Sequence, residues 1–285
     1  MNTKEGKTEE KQRFSTKWGL ILSVLGIAIG TGNIWRFPRI AAQNGGEAGA
    51  GAFLVAWISF LFLWSIPLII AEYGIGKKGR RGIVGSYVAI AGKNKTWMGA
   101  FIGLVATAIM FYYSVVAGWC LYYLSQSLQF GLPSNYEQAM SIWNSFHAQG
   151  IPVFTHGIVM LLGSWVVIKG ISSIEKVNKI LIPLLFLILL VSLVKAISLP
   201  GSWEGISYLF TPDWQTLKEP RIWLEALTQN AWDTGAAWGL ILTYAAYMRT
   251  HDRITISAFQ TGIGNNMISL IAAVIIFSTV FGTLG

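Results

Sequence analysis

The chain has one cysteine, Cys120, and three widely separated histidines, His147, His156 and His251. A lone cysteine forms no intrachain disulfide, and inside an apolar run it reads as a packed small residue. Histidines so far apart lack the spacing of a metal centre. Charge is scarce as well. Only 12% of the 285 residues are Asp, Glu, Lys or Arg, against roughly a quarter in a soluble domain. No nucleophile–base pair, phosphate loop or metal cluster is legible, so the sequence does not read as an enzyme. A cleavable signal is missing too. The leader MNTKEGKTEEKQRFSTK is polar, and the apolar run behind it has no small-residue cleavage site, so that run reads as a retained helix.

What the chain has in abundance is apolar sequence: 53% of its residues are hydrophobic. Runs of membrane-spanning length predict seven helices, at about residues 18–37, 52–75, 97–130, 153–169, 180–197, 222–248 and 255–285. Residues 1–17 read as a cytoplasmic tail and 18–285 as one transmembrane domain. Pro67 and Pro183 fall inside spans, where neighbouring helices re-satisfy the freed carbonyls. Of 21 basic residues, five lie in the leader, six between Lys77 and Lys95, three at Lys169, Lys176 and Lys179, and two at Arg249 and Arg253. All of these connections lie on one side. The net charge of +8 therefore reflects membrane topology rather than nucleic-acid binding. The positive-inside rule puts the N-terminus in the cytoplasm, and the odd number of spans puts the C-terminus outside. The final segment runs into VIIFSTVFGTLG without a polar tail. Either the protein ends at the outer membrane face or the sequence is part of a longer chain, and the second is expected.

Two spans carry residues that a membrane helix avoids. GIAIGTGNIWRFP (residues 26–38) places Gly26, Gly30, Gly32 and Asn33 within an apolar run. Each interior glycine costs about 1 kcal/mol against alanine. LTQNAWDTGAAWG (residues 227–239) places Asp233 in the sixth span, at a cost of about 3 kcal/mol on insertion scales. These are the first and sixth spans, five apart. Carriers built from two inverted five-helix repeats put discontinuous helices at such corresponding positions, freeing backbone groups to become ligands. The competing reading, small residues that let helices cross closely, accounts for the glycines but not for Asp233 or the offset.

These stretches, with AAQNGG, PLIIAEYGIG, FYYSVVAGWCLYYL, GAAWGLILTYAAYM and TGIGNN, resemble the neurotransmitter:sodium symporters, including the bacterial amino-acid transporters of the leucine-transporter fold. The likeness runs from about Trp18 onward. It implies an all-α membrane protein: a 5+5 inverted-repeat bundle, here truncated after about seven transmembrane helices, with helices 1 and 6 unwound in mid-membrane. It implies sodium-coupled symport of a small amino acid across the cytoplasmic membrane. Na⁺ is then the coupling ion, no organic cofactor is needed, and the partners are the amino acid and the bilayer. A homodimer is left open. A substrate-gated channel or sensor on the same fold would use the same residues, and the sequence as given could be an inactive fragment.

Carried over position by position, the resemblance implies a first sodium site from the Ala28 carbonyl, Asn33, Asp233 and Asn265. A second would use the carbonyls of Gly26 and Ile29, with its hydroxyl ligands beyond Gly285. Oxygen-only ligands suit a hard cation. The substrate carboxylate would meet the amides of Thr31 and Gly32 and the Tyr113 hydroxyl, and its amine the carbonyls of Ala28, Trp232 and Asp233. Ile27, Ile109, Trp232 and Trp238 would line the side-chain pocket, with Gly235 where relatives carry a hydroxyl. Arg36 would be the outer gate. Arg13, Lys11 and Trp18 would belong to the inner one. Gly30, where monoamine transporters carry an aspartate, points to a ligand with its own carboxylate.

The departures are informative. Asp233 stands where the family has Ser or Thr, Ser269 where some members carry a glutamate, and Trp57 where a tyrosine contacts chloride. One chloride ligand and the substitute glutamate are both missing, while a carboxylate is added. The expectation is chloride-independent transport with Asp233 as the fixed negative charge. The alternative is that Asp233 binds the substrate amine or a proton.

Overall fold

A computed structural model describes residues 13–148 and 150–284. Lys4, Lys7 and Lys11 of the basic leader, with the inner-gate assignment of Lys11, lie outside the described residues. The first span is broken, as GIAIGTGN predicts. Helix α1 (Lys17–Ala28) is capped by Thr16, whose Oγ1 accepts the Gly19 N–H at 2.9 Å. It stops at Ile29, which is extended (φ −78°, ψ 117°). The chain resumes as a π-helical turn, Gly32–Arg36, and α2 (Phe37–Gln43), bent 60° from α1.

The second span, Gly51–Gly79, contains α3 (Gly51–Phe60), a π-turn Leu61–Ser65 and α4 (Ile66–Gly79), with Pro67 near the start of α4. A short α5 (Ile83–Ala91) follows. Next come α6 (Thr96–Phe130), α7 (Tyr136–Ala148), α8 (Ile151–Ile168), α9 (Ile171–Ile197) and α10 (Ser202–Phe210). The second broken element is α11 (Pro220–Asp233) followed, after residues 234–239, by α12 (Leu240–Ala245). Helix α13 (Ile254–Leu284) closes the described chain.

Among the described residues, five helices are long and apolar enough to cross a membrane, or six with the bent first pair, against the seven expected. The shortfall is the segment 222–248. Its break leaves pieces of 14 and 6 residues, each too short to span a ~30 Å hydrocarbon layer at ~1.5 Å per residue. The edge at residue 180 also moves. SSIEKVNK, sorted above with the loops because of its charge, forms the first turns of α9. Its Lys179–Glu175 pair (2.7 Å) spans one helical turn.

The core has two apolar clusters. One gathers Phe37, Phe53, Trp57, Ile222 and Phe277, the other Phe14, Leu20, Ile69, Tyr73 and Met248. By contrast, α6, α8 and α9 turn large apolar side chains outward: Leu104, Leu161 and Ile180 are each about two-thirds exposed or more. That is a surface suited to lipid. The glycine-rich stretch before α3 also has a reason. Ala50 and Gly51 donate N–H groups to the Tyr208 and Thr211 carbonyls (2.8 and 2.9 Å), and a Cβ on Gly51 would sit 2.6 Å from the Phe210 oxygen.

At the end of the bundle nearest the leader, basic residues from separate connections meet. Lys77 donates to the Asp252 carbonyl, Arg80 to the Ala246 and Met248 carbonyls, Arg13 to Thr250, and Arg249 pairs with Asp252 at 2.8 Å. Phe14 is buried there and donates its N–H to the Tyr247 carbonyl. Glu175 fastens the same segment by accepting from the Ser15 N–H (2.8 Å) and hydroxyl (2.5 Å). Trp18, assigned to the inner gate from sequence, is 65% exposed. Its neighbours Gly19 and Leu20 hold the buried face of α1, and the aromatic that fills this end is Phe14.

Candidate functional site

The two broken elements face each other. Gln229 of α11 donates Nε2–H to the Gly32 carbonyl at 3.3 Å. A Cβ on Gly32 would lie 2.8 Å from both Asp233 Oδ1 and Trp232 Cδ1, so glycine is needed for the approach. Gln229 and Asp233 are four residues apart and share one helix face. Gln229 Oε1 also accepts from Arg36, tying the proposed outer-gate arginine to α11.

Behind this contact runs a buried polar chain. The Gly30 N–H donates to Asn33 Oδ1 (2.9 Å). Asn33 Nδ2 donates to Asn265 Oδ1 (3.0 Å) and Ser269 Oγ (2.9 Å), and Ser269 donates to Asp233 Oδ2 (3.2 Å). Asn33, Asn265 and Ser269 are fully buried and Asp233 is 1% exposed. Among the described residues, Asp233 Oδ1 has no hydrogen-bond partner. An ionised carboxylate so enclosed is costly without a compensating cation. The surrounding donor set is carbonyl, amide and carboxylate oxygen, which suits a hard cation. Asn33, Asn265 and Asp233, three of the residues expected at the first sodium site, are therefore gathered, and Ala28 lies on the wall of the cavity that Trp232 also lines. The Asn33 oxygen is in addition engaged by the Gly30 amide.

Beside the polar chain lies a cavity of about 320 Å³ lined by Ile27, Ala28, Ile109, Tyr113, Trp232 and Trp238, together with Gly235. Every side-chain-pocket position named from sequence is on its wall. Ala106, Met110 and Leu240 line it too and were not anticipated. Trp232 and Trp238 stand edge to face, centroids 5.6 Å apart. A Cβ on Gly30 would come within 3.5 Å of the Tyr113 hydroxyl, so that hydroxyl sits at the break. Thr31 is exposed at the break, and Gly32 and Asp233 lie buried behind the wall. The two residues of the second sodium set are further along α1. Gly26 packs against Asn178 and Ile182 of α9, and Ile29 is the extended residue that ends the helix.

Residues 234–239 depart from the helix through left-handed conformations at Gly235 (φ 59°), Ala237 (φ 70°) and Gly239 (φ 75°). The Gly239 N–H is received by Glu72 Oε1 of α4; Glu72 is 6% exposed and its Oε2 is unpartnered. Glu72 and Gln229 were missed from sequence as site residues. The signal for each was a polar group in a span, Glu72 within PLIIAEYGIG and Gln229 one turn before Asp233. Trp57, read as a lost chloride ligand, packs on Phe37 (4.3 Å between centroids) and leaves its indole N–H without a partner.

Two broken helices meeting at a buried oxygen cluster, beside an aromatic-walled cavity, define the leucine-transporter type of membrane carrier fold. The crystal structure of MhsT in complex with L-phenylalanine shares it, with a TM-score of 0.84 and 32% identity over 96% of this chain and 62% of that one. The chain matches the sodium:neurotransmitter symporter family over residues 11–153 and 152–284, and belongs to it. It is 33% identical to an uncharacterized sodium-dependent transporter of Methanocaldococcus jannaschii, over 97% of this chain and 56% of that protein. It is 31% identical to the sodium-dependent neutral amino acid transporter B(0)AT3 of Mus musculus, over 95% and 48%. The chain thus spans about half the length of the curated relatives it matches.

Proposed function

We propose that this chain carries the ion- and substrate-binding half of a sodium-driven symporter for a neutral amino acid in the cytoplasmic membrane, N-terminus inside. The observation that carries the reading is the unpartnered, buried oxygen of Asp233, held between the two helix breaks and next to the cavity. Relatives described as sodium-dependent neutral amino acid transporters, and a structural neighbour that holds L-phenylalanine, support the same class.

In this reading Asp233, Asn33, Asn265 and the Ala28 carbonyl hold Na⁺, and Gly26 and Ile29 contribute to a second site. Thr31 and Gly32 amides and the Tyr113 hydroxyl receive the substrate carboxylate. The carbonyls of Ala28, Trp232 and Asp233 take its amine, and Ile27, Ile109, Trp232 and Trp238 enclose its side chain. Arg36 closes the outer side and Arg13 belongs to the inner closure. Asp233 supplies the negative charge that chloride provides elsewhere, because a carboxylate beside Na⁺ is strongly favoured in a low-dielectric site.

The test is uptake of labelled neutral amino acids into proteoliposomes by the complete gene product under an inward sodium gradient. Accumulation above equilibrium is expected, unchanged when gluconate replaces chloride. Asp233→Asn is expected to remove the sodium stimulation. Loss of uptake in gluconate, or full sodium dependence in the Asn variant, sinks the role of Asp233. Equilibration without accumulation points to a channel. The 285 residues alone, which span about half the length of the relatives they match, are expected to give no uptake.

A further inference from the structure

Helix α6 carries Tyr113 on its cavity face, together with Ala106, Ile109 and Met110. Another face of the same helix is the stripe Ser114, Gly118 and Tyr122, spaced four residues apart and buried. Ser114 directly follows Tyr113, so the two faces stand about 100° apart around the axis. The stripe is where neighbouring helices seat. A Cβ on Gly118 would lie 2.8 Å from the His156 backbone nitrogen of α8. Tyr122 stacks on Phe146 of α7, with centroids 4.3 Å apart.

At Ser114 the contact between α6 and α8 becomes polar. Its Oγ lies 2.9 Å from the Phe111 carbonyl and 3.0 Å from His156 Nε2. A hydroxyl has one proton, and a carbonyl can only accept, so that proton goes to Phe111. The Ser114 oxygen then accepts from His156 Nε2–H, which places the imidazole proton on that nitrogen. The half-buried His156 thus ties α8 to α6 by a directional bond. Its neighbour Thr155 makes no such tie, because its hydroxyl bonds the Ile151 and Pro152 carbonyls of its own helix. A histidine inside an apolar span is costly there and calls for a role.

We propose that His156 is a positioning residue for substrate binding: its bond to Ser114 sets the rotation of α6 about its axis and so holds the Tyr113 hydroxyl at the first helix break. This rests on the reading of Tyr113 above as the group that receives the substrate carboxylate. The hydroxyl ends a long side chain, so a small turn of α6 is magnified there. A rotation of about 10° displaces a group about 6 Å from the axis by about 1 Å. Misplacement on that scale is costly wherever a site depends on orientation.

The experiment uses the complete gene product labelled with 3-fluorotyrosine, the Tyr113 fluorine signal being assigned by its loss in Tyr113→Phe. His156→Leu is expected to shift that signal. His156→Gln should return it, because the glutamine amide N–H reaches the place of Nε2–H. Thr155→Val, on the same interface but without a bond across it, should leave the signal unmoved. Folding is not at stake, since Ser114 keeps its Phe111 acceptor. The second arm is uptake of labelled L-phenylalanine into proteoliposomes under an inward sodium gradient. His156→Leu is expected to raise the half-saturation concentration about tenfold at an unchanged maximal rate, the weakening of one hydrogen bond to a charged group. In a Tyr113→Phe background the same replacement should add nothing, since both act through one hydroxyl. An unmoved Tyr113 signal in His156→Leu, an equal shift in Thr155→Val, no rescue by His156→Gln, or additive losses in the double variant overturns the positioning. If the parent takes up no phenylalanine, the symporter reading is what fails, and the fluorine signal still decides the role of His156.

Discussion

Gly76→Ala tests how tightly the broken element is seated. Gly76 of α4 faces α12, and a Cβ there would lie 2.1 Å from the Leu242 carbonyl oxygen and 2.7 Å from Ala245 Cβ. The obstructing oxygen belongs to a helix backbone and cannot rotate aside. The two helices must separate by about 1 Å to restore ordinary contact, and overpacking of this kind costs about 1–3 kcal/mol. Alanine returns about 0.5–1 kcal/mol by restricting the unfolded chain and favouring helix. The net expectation is a loss of about 1–2 kcal/mol, or a midpoint lower by several degrees at about 2–4 °C per kcal/mol. Gly74 is the control: it lies two residues away in the same helix, and nothing is within 4 Å of its added Cβ. Gly74→Ala keeps only the propensity gain and should melt slightly higher than the parent. Thermal unfolding of the three proteins in one detergent decides it. If Gly76→Ala melts at or above the parent, α12 is not packed against α4 as described. The cavity wall at Leu240 would then lose its support.

Glu72→Leu removes the acceptor of the Gly239 amide and is expected to destabilise the protein by about 1–3 kcal/mol through an orphaned buried N–H. Glu72→Gln keeps a carbonyl oxygen there and should recover most of that loss in the same unfolding assay; equal losses refute the bond. The Arg249–Asp252 pair sets an acid limit. Burial raises the Asp252 pKa, but the Arg249 hydrogen bond and charge together bring it below the ordinary 3.8. A carboxyl depressed on folding stabilises above its unfolded pKa and loses that contribution as pH falls through the folded value. Unfolding midpoints should therefore drop below about pH 4 in the parent. Asp252→Asn should show a smaller acid-side drop, and identical pH profiles would remove the pair from the account.

The helix breaks were legible because they depend on local chemistry. Glycine and asparagine density marked the first, and Asp233 with its flanking glycine the second. The cavity wall was legible through the resemblance, residue by residue. What escaped depended on partners distant in sequence. Glu72 reads as one polar residue in an apolar run until Gly239 is seen to donate to it. Phe14 and Trp18 are both aromatics near the start of α1, and only packing decides which is buried. The start of α9 was hidden by charge: Glu175 and Lys179 resemble a loop in an apolarity window, yet they form a helical ion pair and hold Ser15.

The break after Ala28 also has a mechanical consequence. Helix α1 has 12 residues and is a rod of about 18 Å at ~1.5 Å per residue. A pivot of about 10° at its Ala28 end sweeps the Lys17 end through about 3 Å, the diameter of a water molecule. The pivot adjoins the cavity, and the swept end is the one tethered to Glu175. A displacement at the cavity too small to disturb packing there is geared up along the rod. At the tether it is large enough to break a hydrogen bond and let in a single water.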